Sequence, residues 1–89
     1  MRIVKIIVDN REHQQLPLLR EVFNEVISTQ LSLGDYLVIQ ENQAVVVERK
    51  TITDLIASIR SNRLWDQLLR MMKVEKIHEH RVIRRILLI

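Results

Sequence analysis

Two β-prone runs with only three polar residues between them set the tightest limit on what this chain can fold into. Tyr36 to Gln40 and Ala44 to Lys50 are rich in branched and aromatic residues, and Glu41-Asn42-Gln43 separates them. A gap that short turns a strand back on its neighbour, so the two runs predict an antiparallel hairpin. Val26 to Leu31 is also β-prone and ends at the break Gly34-Asp35. The three runs together predict an antiparallel meander.

Other segments frame that meander. Ile3 to Val8 reads as a strand buried on both faces, because it is a short apolar run without alternation. Leu16, Leu19 and Val22-Phe23 recur at helical spacing and predict a helix from about Leu16 to Asn24, with Pro17 in its first turn, where the missing N–H costs nothing. After Lys50, Thr51 is placed to cap a helix with its hydroxyl, and Asp54, three residues on, to reach back as a variant capping box. Leu55, Ile56 and Ile59 form the apolar stripe of that helix. Asn62 marks its end, since Asn tolerates the left-handed conformation of a C-cap. A longer helix is predicted from Leu64 to Ile77, with Leu64, Leu68, Met71 and Met72 on one side. Ile83 to Ile89 reads as a last buried strand. The predicted order is β-α-β-β-β-α-α-β, a mixed sheet flanked by helices, an α/β fold. The 89 residues fit one domain, 1–89. Its final strand has nothing after it to cover its face, which predicts a domain completed by further chain, a partner or a second copy.

Composition narrows the function classes. There is no cysteine, so disulfides and thiolate metal sites are excluded, and an intracellular protein is the simplest reading. The apolar run at the start is too short for a signal peptide, and no apolar run approaches a membrane span. The net charge of +3 is unevenly spread. Residues 1–48 hold 4 basic and 7 acidic side chains, whereas residues 49–89 hold 10 basic and 4 acidic ones. Such a division suits a protein that holds a cation and a polyanion together, and it equally describes two solvated faces.

The chemistry concentrates at the ends of the hairpin. Strand alternation puts Glu48 and Lys50 on one face and Arg49 on the other. Asp35 opens the preceding strand and so stands beside Glu48. Two carboxylates that close repel unless a cation lies between them, and hard oxygen ligands favour Mg²⁺ or Mn²⁺. Lys50 can then orient or deprotonate water, or stabilise charge on an attacked phosphate. Spacing alone is also met by a solvated Glu–Lys pair at a surface strand end.

Four ordered blocks sharpen that reading. Gly34-Asp35, Glu48-Arg49-Lys50 and Asp54 resemble the signature GDx(n)ERKxxxD of the XPF/Hef structure-specific endonucleases. Val8-Asp9-Asn10-Arg11-Glu12 resembles that family's V-D-x-R-E opening. Asn62-Arg63-Leu64-Trp65-Asp66-Gln67 resembles its G-R-[LF]-x-x-Q segment, with Asn in place of Gly. Arg84 to Ile89 resembles the start of its last core strand. The resemblance covers nearly the whole chain and implies a restriction-endonuclease-like nuclease domain, without the helix-hairpin-helix module that relatives use to grip duplex DNA. It implies Asp35 and Glu48 as metal ligands, with Asp9 supporting the metal directly or through water. Lys50 and Arg49 are implied as catalytic or site-bracing, Arg11, Arg63 and Gln67 as DNA contacts, and Asp54 and Glu12 as supporting residues.

The implied activity is Mg²⁺- or Mn²⁺-dependent incision of one strand of branched DNA near a single/double-strand junction, such as a 3′ flap or fork. The implied assembly is a homodimer or heterodimer. A non-catalytic DNA-binding or scaffold subunit is the alternative, and a Holliday-junction resolvase shares the same carboxylate logic. His78-Glu79-His80 is read as a solvated turn, because two His at i, i+2 share no helix face. Trp65 is read as a helix-face anchor rather than a base-stacking platform.

Overall fold

The computed structural model describes residues 5–89. The expectation for Ile3 and Val4 lies outside the described residues. Six strands form one mixed sheet in the order β2-β1-β3-β4-β6-β5. The strands are β1 (Lys5–Asp9), β2 (Glu25–Thr29), β3 (Tyr36–Gln40), β4 (Gln43–Arg49), β5 (Lys76–Ile77) and β6 (His80–Leu88). Three helices connect them: α1 (Leu16–Val22), α2 (Ile52–Arg60) and α3 (Arg63–Lys73). A 3₁₀ segment, Asn10–Gln15, precedes α1.

The hairpin forms as its spacing requires. β3 and β4 pair antiparallel, with Tyr36 opposite Val47 and Gln40 opposite Gln43. Glu41 takes a positive φ of 57° at the turn. The meander stops there. β2 does not lie beside β3 but pairs parallel with β1 at the sheet edge. The physical reason is the character of β1. Ile6, Ile7 and Val8 are all buried, so this strand needs neighbours along both edges and cover on both faces. Insertion between β2 and β3 supplies them, and α1 acts as the crossover of a β-α-β unit.

Alternation divides the apolar residues between two cores. On one face Ile7, Leu37, Ile39, Ala44 and Val46 pack with Leu31, Met71, Ile77 and Val82. On the other face Ile6, Val8 and Tyr36 pack with Leu16, Leu19, Phe23 and Val47. Leu37 and Val46 are fully buried. Truncating a side chain at such a site to Ala costs about 2–5 kcal/mol for Leu, so the hairpin is firmly held in the sheet.

Thr51 caps α2, its hydroxyl accepting the Asp54 N–H at 3.1 Å. Asn62 is left-handed, with φ 61° and ψ 19°, and joins α2 to α3. The last helix is shorter than its periodicity predicts. It ends at Lys73, and Lys76–Ile77 instead pairs antiparallel with β6. The two residues between them, His78 and Glu79, both have positive φ, the geometry of a tight primed hairpin turn. β6 therefore starts at His80, before the predicted Ile83, and runs parallel to β4 with an irregularity beside Ala44/Val45. Arg85 on β6 donates Nε to the Met71 carbonyl at 2.8 Å and Nη2 to the Val74 carbonyl. Those carbonyls belong to the C-terminal end of α3, where backbone acceptors lack helical partners.

Gly34 is the one glycine, and its φ of 79° is open to few other residues. A Cβ there would lie 2.7 Å from Val46 Cγ1 and 3.3 Å from the Val47 carbonyl. Gly34→Ala is expected to destabilise the domain by roughly 1–3 kcal/mol, measured as a lower urea midpoint at unchanged m-value. A loss under about 0.5 kcal/mol, the range of ordinary surface substitutions, would show that the turn relaxes and that the close approach does not constrain the hairpin.

Candidate active site

Asp35 sits where three strands meet. Its N–H donates to the Val47 carbonyl at 2.8 Å, and its own carbonyl accepts the Asp9 N–H at 2.9 Å. Its side chain then reaches past the end of β4, where Oδ2 accepts the Arg49 N–H at 2.7 Å. The Tyr36–Val47 register sets Asp35 next to Glu48. Lys50 follows immediately after β4, and its N–H extends the ladder to the Leu88 carbonyl at 2.8 Å. A cleft of about 310 Å³ gathers Arg11, Glu12, Asp35, Glu48, Arg49, Lys50, Thr51, Asp54 and Gln67.

Alternation places Arg49 on the sheet face of the 3₁₀ segment, where Glu12 meets it. Glu12 accepts from Arg49 Nε at 2.6 Å and Nη2 at 3.3 Å, and from the Tyr36 hydroxyl at 2.9 Å. The Arg49 hydrogen bond outweighs burial and holds the Glu12 carboxyl below its ordinary value. Burial, with the Glu12 hydrogen bond, pushes the Tyr36 hydroxyl up to about 12. Tyr36 is thus a bracing residue that spacing did not single out, although its place next to Asp35 was a signal.

The two central carboxyls behave in the opposite way. Burial pushes Asp35 up, and the charges of Glu12 and Asp9 add to it, against the Arg49 N–H and Arg11. Burial also pushes Glu48 up, reinforced by Asp35 and opposed by Lys50, Arg11 and Arg70. Burial thus weighs on both carboxylates, and their cationic neighbours do not fully offset it. Among the described residues no three or more His, Cys, Asp or Glu side chains converge as a metal-binding group. Two carboxylates suffice for Mg²⁺, which commonly takes one or two of them and completes its shell with water and phosphate oxygens. The donor set fits such an ion, and Asp35 and Glu48 are the residues that would hold it.

The remaining expected residues divide into two groups. Gln67 on α3 and Asp54 on α2 line the cleft. Arg63, one turn before Gln67, is exposed, and its Nε donates to the Ser61 hydroxyl at 2.9 Å. Asp9 is only 2% exposed and lines a neighbouring cleft with Asn10, Arg11, Gln30 and Leu31. Its Oδ1 accepts the Leu31 N–H at 2.9 Å, and its Oδ2 accepts Arg11 N–H and Nε at 3.1 and 2.7 Å. Burial raises the Asp9 carboxyl, but these hydrogen bonds and the Arg11 charge outweigh it and leave it below the ordinary value. Trp65 is 67% exposed and does not anchor α3 to the sheet; Met71 does.

A mixed sheet whose central hairpin brings two carboxylates and a lysine to one cleft, beside a helix carrying a glutamine, defines a nuclease-type α/β domain. The profile described as ERCC4 domain matches residues 8–89. The chain belongs to this XPF/ERCC4 nuclease-domain family. A Methanocaldococcus jannaschii protein named as an ATP-dependent RNA helicase is 45% identical over 73 residues, which cover 82% of this chain and 9% of that protein. The 3′-flap repair endonuclease Xpf of Saccharolobus solfataricus is 36% identical over 74 residues, covering 81% of this chain and 30% of that protein. The structure of XPF from Aeropyrum pernix in complex with DNA aligns at a TM-score of 0.60 and 30% identity, over 93% of this chain and 39% of that one. The chain therefore spans well under half the length of each of these relatives.

A carboxyl whose folded value is raised favours the protonated fold, so its burden on stability is lifted as pH falls through that value and is full at pH 7. Asp35→Asn and Glu48→Gln remove the buried charge, and the smaller repulsion between the two, while keeping the shape. Each is expected to raise the thermal midpoint at pH 7 in EDTA by roughly 2–5 °C. A lowered midpoint for both in calorimetry would show that the carboxylates are stabilising partners and not a strained pair.

Proposed function

We propose that this domain is the cutting module of a structure-specific DNA endonuclease, hydrolysing one strand of branched DNA near a single/double-strand junction such as a 3′ flap or fork. The observation that carries the reading is the meeting of Asp35, Glu48 and Lys50 in one cleft, with both carboxyls raised by burial and Glu48 raised further by Asp35. A surface Glu–Lys pair gives no reason for a second buried carboxylate at its side.

Asp35 and Glu48 would hold a Mg²⁺ or Mn²⁺ ion. Once bound, the ion supplies Lewis-acid activation of water and neutralises phosphate charge. Lys50, next in the cleft, orients the attacking water or donates to a phosphate oxygen as its charge grows. Gln67 offers its amide N–H₂ to the same phosphate. Arg49, fixed by Glu12 and Tyr36, keeps the wall of the cleft rigid and holds Asp35 through its backbone N–H. The strongly basic stretch 49–89 supplies sequence-independent attraction to the DNA backbone.

Association with a second copy or a paired subunit is part of the proposal. It is supported by exposed apolar side chains on α3 (Trp65, Leu69, Met72) and on β6 (Ile83, Ile86, Leu88). Such clusters mark contact surfaces more often than free ones. The setting is intracellular, where repair substrates lie, and no described helix is long and apolar enough to cross a membrane.

Labelled forks and flaps with Mn²⁺ provide the test. Asp35→Ala and Glu48→Ala are expected to abolish incision, and Lys50→Ala to lower its rate by on the order of 10²–10⁴, the span of a positioned proton-transfer group. Incision that survives both carboxylate substitutions would assign the cutting site elsewhere.

A further inference from the structure

Arg11 stands between the two clefts and lines both of them. It is tethered at one end and open at the other. Its backbone N–H and its Nε both donate to Asp9 Oδ2, while its side chain remains 75% exposed. From that tether Nη2 reaches to within 3.7 Å of Asp35 Oδ1. This is an ion-pair distance, longer than a hydrogen bond. The other oxygen of Asp35 is committed to the Arg49 N–H. Oδ1 is thus the part of Asp35 left for a cation, and the guanidinium is already beside it.

We propose that Arg11 is a built-in counter-ion for Asp35 that competes with the divalent cation and yields to it. The inference rests on the metal-binding reading of Asp35 and Glu48 given above. The guanidinium and a divalent ion draw on the same lone pairs and repel one another, so the affinity for the ion is set by their difference. The long, exposed contact to Asp35 is the weak one, and the Nε contact to buried Asp9 is the strong one. Loading the site therefore breaks the first and keeps the second. Asp9 stays satisfied throughout by Leu31, the Arg11 backbone and Nε. The freed Nη groups turn toward solvent or the neighbouring cleft, where they can donate to a DNA phosphate. Metal loading and phosphate recruitment are in this way coupled through one side chain.

Calorimetric titration of Mn²⁺ into wild type, R11Q and R11K tests the competition without any turnover. R11Q is expected to bind Mn²⁺ roughly threefold to tenfold more tightly, as removal of a partly screened neighbouring charge requires. R11K, which keeps the charge but loses the fork and its tether, is expected to fall between. Equal or weaker binding by R11Q overturns the inference, leaving the metal site itself intact. Absence of Mn²⁺ binding by wild type and both variants overturns the inference together with the reading beneath it. If R11Q does not fold, the wild-type arginine side-chain resonances decide: Mg²⁺ is expected to shift the Arg11 Nη signals, and unmoved signals at saturating Mg²⁺ overturn the proposal.

Discussion

The hydrogen bond from the Arg49 backbone N–H to Asp35 Oδ2, 2.7 Å long, is the contact on which the site depends. It closes the open end of the β3–β4 hairpin with a side chain where the ladder runs out. Three consequences follow from it. Asp35 is held against β4, so Glu48 cannot escape its charge. One Asp35 oxygen is consumed, so the other faces whatever cation arrives. And the main chain at Arg49 is fixed, so its guanidinium meets Glu12 across the sheet edge. A charge-assisted bond of this kind is worth more than a neutral one, and here it adds to the bond from the Asp35 N–H to the Val47 carbonyl.

Much of this site was legible because strand alternation is a hard rule. Glu48, Arg49 and Lys50 are consecutive, yet period two sends Glu48 toward α3 and Arg49 toward Glu12. The juxtaposition of Asp35 and Glu48 followed from the shortness of the turn. Thr51 as a cap and Asn62 as a left-handed joint were readable because each residue has a local reason for its place. The unread parts all depend on contacts far apart in sequence. No local pattern marks β2 for the sheet edge, since that position is decided by the need of β1 for two neighbours. The 3₁₀ segment that delivers Glu12 has no apolar period to reveal it. The role of Arg85 could not be read, because nothing in a sequence says that two orphan carbonyls of α3 lie within its reach.

The same long-range contacts give Asp9 structural work beside the metal-supporting role that its position in the motif implies. Asp9 ends a central buried strand, and three N–H donors satisfy it there. Its structural work is to hold Leu31, part of the core, and Arg11, part of the cleft wall. Arg85 does the corresponding work farther along the same face of the sheet: α3 carries Gln67, and its far end is fastened to β6. Both residues act on the cleft by fixing the elements around it.

The register of the hairpin carries a further implication for how this domain can vary in length. Asp35 and Glu48 stay neighbours only while the strands between them have matching lengths. A single residue added within β4 ahead of Glu48 turns Glu48 to the face of Glu12 and Arg49 to the face of α3, and one added within β3 does the same to Asp35. Growth within the paired strands must therefore come in steps of two residues on each strand, which keep both the pairing and the face. Only the tip at Glu41-Asn42 is free to accept an odd insertion. The parity that matters is counted along each strand, from the tip to its carboxylate, and not along the chain between the two.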